Sequence, residues 1–154
     1  MKKILVIEDD ANIRESLVEL LEMKSYEVLS AENGADGLRM AIEGRPNLIL
    51  CDVMMPGMNG YEVIEKVRAN MDLAATPFIF LSAKAMEHDI LHGKKLGANS
   101  YLTKPFRAAE LFSVVDDLIN KSGGGNTGLG QLMNELQIMA DELLCRLSLR
   151  WSIA

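Results

Sequence analysis

Short apolar runs alternate with longer amphipathic stretches from Ile4 to about Lys121, and nothing else in the sequence limits the possible folds as strongly. The runs Lys3–Ile7, Tyr26–Ser30, Asn47–Cys51, Phe78–Ser82 and Ser100–Leu102 are short and rich in Ile, Val and Leu, so they are predicted as strands. The stretches between them carry the helical period: Ile13, Leu17, Leu20 and Leu21 in the first, Val63, Ile64 and Val67 in the third, Leu111, Val114, Val115 and Leu118 in the fifth. Asn33 and Asn59 stand at predicted helix starts, and Gly44-Arg45-Pro46 and Gly97-Ala98-Asn99 at predicted stops. Five strand–helix units with right-handed crossovers give a doubly wound α/β fold, a five-stranded parallel sheet with helices on both faces. In such a sheet the ligand crevice lies outside the carboxyl ends of the strands, at the switch point.

Composition narrows the function. At 154 residues the chain suits one compact core with an appendage. Sixteen basic residues against 22 acidic ones leave a net charge of -6, and no stretch gathers the basic ones into a nucleic-acid footprint, which argues against direct DNA binding. Cys51 and Cys145 have neither disulfide-framework nor metal-motif spacing, as expected of a reducing compartment. The apolar run Ile4 to Ile7 near the N-terminus is too short for a signal peptide or a membrane span, so a cytoplasmic protein with no membrane partner is expected.

Chemistry is therefore sought at strand ends, where Glu8-Asp9-Asp10, Asp52, Ser82 and Lys104 fall. Gathered carboxylates repel, and a divalent cation relieves the repulsion. Mg²⁺ suits such a set, since it takes hard oxygen ligands and keeps several waters beside one or two carboxylates. Each signal also has an ordinary explanation: the acids as caps of the next helix, Asp52 as an Asx turn, Ser82 as a cap for a helix beginning near Lys84, Lys104 as a solvated lysine. Two local features weigh against these. Asp52 is followed by Met54-Met55-Pro56-Gly57-Met58-Asn59-Gly60, a loop whose Pro and Gly residues force an unusual path and whose backbone carbonyl could complete a metal site. Lys104 precedes Pro105, which restricts its backbone to extended geometry and raises the chance of a cis peptide, a geometry that can hold the ammonium inward.

Taken together, the acid pair, an aspartate with Pro56 four residues later, a small hydroxyl residue, an aromatic and Lys-Pro-Phe strongly resemble, in order and spacing, the receiver domain of two-component response regulators, the family that includes the bacterial chemotaxis regulator. The resemblance runs from about Lys2 to Lys121. It implies the flavodoxin-like strand order 2-1-3-4-5, with Asp52 as phosphoacceptor, Asp9 as direct Mg²⁺ ligand, Glu8 holding the ion through water and the main-chain carbonyl of Met54 as a further ligand. It further implies that Ser82 binds the phosphoryl oxygen, Lys104 contacts the phosphate and Tyr101 is the aromatic switch. The donor would be a sensor histidine kinase, a phosphotransfer protein or a small phosphodonor, and a downstream protein would read a face formed by Lys84–Leu96, Asn99–Leu102 and Arg107–Lys121.

Competing classes fit less well. A haloacid-dehalogenase-type phosphatase needs a second Asp two residues after its nucleophile, and Met54 stands there. A nucleotide-binding protein wants a glycine-rich loop after the first strand, and Asp9 to Arg14 contain no glycine. A receiver acting as a scaffold without phosphorylation has nothing to recommend it, since all site residues are present. Family members often carry a polar side chain where Met54 is, and Lys84 is the other position that tunes water access. The expected organisation is a receiver over 1–121, a Gly-rich linker over 122–128 and an amphipathic helix over 129–154. The apolar residues Leu132, Leu136, Met139 and Leu143 of that helix form a stripe able to dock on the receiver, pair with a twin in a homodimer or lead into an output module.

Overall fold

The computed structural model describes residues 1–83 and 86–122. Five parallel strands, β1 (Lys3–Ile7), β2 (Glu27–Ala31), β3 (Leu48–Asp52), β4 (Phe78–Ser82) and β5 (Ser100–Thr103), alternate with helices α1 (Ala11–Met23), α2 (Gly34–Gly44), α3 (Gly60–Ala69), α4 (Glu87–Lys95) and α5 (Ala108–Ser122). The sheet order is β2-β1-β3-β4-β5, so the chain reverses direction across the sheet between β1 and β3. The predicted order and doubly wound architecture are those observed. Lys84, most of the predicted linker and the predicted helix over 129–154 lie outside the described residues. Ser122, expected to open the linker, is the last residue of α5.

Side-chain alternation along the strands builds two cores. Leu5, Ile7, Ile49, Cys51, Phe78 and Phe80 face one side and pack with Val63, Ile64 and Val67 of α3 and Ala41 of α2. Ile4, Val6, Leu48, Leu50, Ile79 and Leu81 face the other and pack with Leu17 and Leu21 of α1 and Leu111, Val115 and Ile119 of α5. Every residue of β3 and β4 is buried, as expected for central strands covered on both faces.

Caps decide where the helices begin. Asp10, Asn33 and Asn59 accept hydrogen bonds from the amides of Ile13, Asp36 and Glu62 at 3.1, 2.8 and 3.0 Å, as the side chains of Asp and Asn do at helix starts. The cap role considered for the three acids thus belongs to Asp10 alone, leaving Glu8 and Asp9 for other work. Ser82 is not a cap, because α4 begins at Glu87 behind Met86, which makes no side-chain cap bond. At the end of α2 the left-handed residue is Arg45, with φ 46°, rather than the neighbouring Gly44.

Candidate functional site

The carboxyl ends of β1, β3, β4 and β5 bring Glu8, Asp9, Asp52, Ser82 and Lys104 to one edge of the sheet. Glu8, Asp52 and Ser82 are buried, whereas Asp9 is exposed. Glu8, Asp9 and Asp52 each offer a carboxylate oxygen within 4.8 Å of the other two. Asp52 makes the Asx turn after all: its Oδ1 accepts from the Met54 amide at 3.2 Å. Its Oδ2 is 3.3 Å from the Lys104 ammonium, so the turn and the ion pair use different oxygens. Lys104 also donates to Glu8 Oε2 at 2.7 Å, and the peptide joining it to Pro105 is cis.

Electrostatics follow from burial. Loss of solvent raises Glu8 to about 7, helped by the charge of Asp52 and opposed by the Lys104 hydrogen bond. Burial also raises Asp52, with Lys104, Glu8 and the Met54 amide pulling the other way. Burial works against the Lys104 ammonium, but its hydrogen bond to Glu8 and the two carboxylate charges outweigh that and lift it above the ordinary lysine value. The cluster is thus short of positive charge, and Lys104 alone is shared between two acids.

The donor set fits magnesium. Opposite ligands of a Mg²⁺ octahedron lie about 4.2 Å apart, so three oxygens within 4.8 Å need only a small adjustment, or a water reaching one of them. Met54, Met55 and Pro56 open the loop beside them, with the Met54 side chain exposed and that of Met55 buried.

Tyr101 is half-buried, with its ring centroid 6.0 Å from that of Phe80. Burial pushes its hydroxyl pKa up to about 12, against the hydrogen bond with Ser82, which pulls the other way. Arg14 was not singled out from the sequence. From α1 its guanidinium donates to the main-chain carbonyls of Glu8, at 2.8 Å, and Asp9, at 3.4 Å, and so fixes the backbone that carries the acid pair. An arginine in the first turns of a helix gives no local sign of such a role.

The family profile for the response regulator receiver domain matches residues 4–116, and the chain belongs to that family. It is a receiver of the two-component phosphorelay class. Among curated relatives it is 36% identical over 126 residues to the phosphate regulon transcriptional regulatory protein PhoB of Pseudomonas aeruginosa, covering 82% of this chain and 55% of PhoB. It is 34% identical over 119 residues to protein PilH of the same organism, covering 77% of this chain and 98% of PilH. The chain therefore spans about half the length of the first and nearly all of the second. The solved structure of the chemotaxis response regulator CheY4 of Vibrio cholerae superposes with a TM-score of 0.74 at 31% identity, covering 77% of this chain and 98% of that one. The signal receiver domain of a histidine kinase from Syntrophus aciditrophicus gives 0.73 at 32%, covering 82% and 95%. No described helix is long and apolar enough to cross a membrane.

Proposed function

We propose that Asp52 accepts a phosphoryl group from a histidine kinase or phosphotransfer protein, and that the resulting charge switches the surface formed by α4, β5 and α5. The observation that carries this reading is a buried carboxylate paired with a lysine and gathered within 4.8 Å of two further acids. An Asp52 oxygen attacks phosphorus as the bond to the donor histidine nitrogen breaks, leaving an aspartyl phosphate and a free imidazole. Asp9 would hold Mg²⁺ directly, Glu8 through water, with Asp52 and the Met54 carbonyl completing the protein ligands. Bound there, the ion supplies charge neutralisation for the phosphoryl oxygens on the acidic side.

The remaining work belongs to the chain. Lys104 leaves Glu8 for the phosphoryl oxygen on the opposite side, and Ser82 turns its hydroxyl to another. Arg14 keeps the acid pair in register while this happens. Movement of Ser82 and the loop after it vacates space into which Tyr101 turns, which carries a local charge event to the edge strand β5. This chemistry makes the protein a signalling element that promotes its own modification rather than a metabolic enzyme.

Incubation with acetyl phosphate and Mg²⁺ followed by intact-mass measurement tests the assignment. The parent gains one phosphate and Asp52→Asn gains none. A full-yield adduct on Asp52→Asn would sink it.

A further inference from the structure

Helix α4 is held differently at its two ends, and Arg68 of α3 makes the difference. Its C-terminal end runs into a turn over residues 96–99 that is fastened on two sides. Arg68 donates from Nε and Nη2 to the Gly97 carbonyl, at 3.2 and 2.8 Å, and from Nη2 to Asn99 Oδ1 at 3.1 Å. Its Nη1 donates to the carbonyls of Leu73, Ala74 and Thr76, so one guanidinium ties the α4–β5 turn to the α3–β4 loop. The same Asn99 oxygen accepts from the Phe78 amide at 2.9 Å, and the Asn99 amide donates back to the Phe78 carbonyl at 2.8 Å, which joins the turn to the start of β4. Ala98 is buried, and Leu96 packs against the same core. Gly97 takes φ 108°, and a Cβ there would lie 3.0 Å from Arg68 Nε, so the guanidinium occupies the space of the missing side chain.

The N-terminal end is built more lightly. Met86 opens α4 without a side-chain cap bond and is exposed, as is His88. Between the two ends the helix rests on rings: His92 meets Tyr61 of α3 edge-on at 4.7 Å, and Tyr61 meets Phe80 of β4 edge-on at 5.4 Å. Gly93 is buried there, and a Cβ on it would lie 2.9 Å from Phe80. Residues 83–85 alone separate Ser82 from Met86, so a displacement at the carboxyl end of β4 reaches the N-terminal end of α4 first. A helix pulled at one end and fixed at the other tilts. A shift of about 2 Å at one end of a helix roughly 13 Å long tilts it by about 8°. We propose that Arg68 is a positioning residue that pins the C-terminal end of α4, so that phosphorylation tilts the helix about the turn at residues 96–99 instead of carrying it sideways as a whole. The signalling face then changes at the start of α4 while its far end stays in register with β5. The inference rests on the phosphoacceptor reading of Asp52 and adds a residue from the opposite end of the sheet to the switch.

Hydrogen exchange reads both ends of α4, followed peptide by peptide in the full chain with and without acetyl phosphate and Mg²⁺, with intact mass recorded in parallel. In the parent, phosphorylation changes exchange over residues 87–91 by at least about fivefold, the factor that one ordinary hydrogen bond supplies, and over residues 96–99 by less than about twofold. In Arg68→Met the adduct forms in equal yield, and phosphorylation changes exchange over residues 96–99 by about fivefold as well. Arg68→Lys, whose ammonium lacks the fork that spans both loops, behaves like Arg68→Met and replaces it should the methionine variant fail to fold. An arginine with a structural role alone would, once removed, speed exchange over residues 96–99 equally in both states and leave the phosphorylation-dependent change confined to residues 87–91. That result overturns the inference, as does a parent in which residues 96–99 respond to phosphorylation as strongly as residues 87–91. Both leave the phosphoacceptor reading intact. An adduct that does not need Asp52, or a parent α4 that ignores phosphorylation, overturns that reading and the inference with it.

Discussion

Lys104 and Arg68 are partly buried cations at opposite ends of one sheet, and they are held in opposite ways. Lys104, past the carboxyl end of β5, is paired with two carboxylates, Glu8 and Asp52. Arg68, at the end of α3, touches no carboxylate among the described residues. Its guanidinium donates instead to the neutral carbonyls of Gly97, Leu73, Ala74 and Thr76 and to the Asn99 side chain, at 2.6 to 3.4 Å. A lysine ammonium is a compact charge on a flexible stem and moves readily to a better anion. A planar guanidinium spread over two loops has no alternative of equal quality. One end of the sheet is thus built to exchange partners and the other to keep them.

Replacing each cation by methionine is the most direct way to break that comparison. Lys104→Met should slow phosphorylation by acetyl phosphate at least about 100-fold, the scale of losing one preorganised charge-stabilising group. It should change stability by less than about 1 kcal/mol, because Glu8 can hold a proton instead. Arg68→Met should cost about 3 kcal/mol in urea unfolding, counting roughly 1.5 kcal/mol for each of the two loops it ties. Its phosphorylation rate should stay within about twofold of the parent. Stopped-flow rates and denaturation curves on both variants decide the matter, and a Lys104→Met protein with parental rates would contradict the exchange role.

A smaller effect sharpens the electrostatic side. Glu8 is raised from 4.5 to about 7 by burial, so between those values the folded chain keeps a proton that the unfolded chain has lost. Stability contributed at this site therefore falls as pH rises from about 4.5 to 7 and is level above. Ion binding needs the proton gone, so Mg²⁺ affinity should rise up to about tenfold per pH unit over the same window. Calorimetric titration across pH 5 to 8 measures it, and a flat profile would detach Glu8 from the metal site.

The smallest expected change concerns the exposed Met54 beside Asp52. Its apolar side chain should crowd the hydrolytic water, so Met54→Asn should dephosphorylate a few times faster than the parent. An unchanged or slower rate removes that idea.

The sequence was legible where function and structure leave local marks. Strand bounds differ from expectation by single residues, at both ends of β2 and β3 and at the end of β5; at β3, Asn47 stands just outside the strand and accepts from the Lys3 amide. Asn33 and Asn59 declare their caps by residue type. The acids, Ser82 and Lys104 stand out because each interrupts or follows an apolar run. Arg14, Arg68 and Tyr61 leave no such mark. Arg14 and Arg68 reach main-chain carbonyls in adjoining loops, Tyr61 reaches the rings of Phe80 and His92, and nothing in their neighbours differs from an ordinary helix surface. By residue type the three acids are interchangeable as caps or ligands; the resemblance sets Glu8 and Asp9 apart, and the geometry shows that the cap is Asp10.

Gly60 sets a boundary for anyone wishing to retune this protein. A Cβ at that position would lie 2.4 Å from the Asp52 carbonyl oxygen and 2.9 Å from the Val53 Cα. The start of α3 is therefore pressed onto the main chain of Asp52, the proposed phosphoacceptor. Residues 54 and 56 are exposed on the loop and can be exchanged in a library aimed at the lifetime of the signal, whereas Gly57, at φ 74°, keeps its glycine. Position 60 belongs outside any such library, since a side chain there would displace the acceptor and confound timing with chemistry.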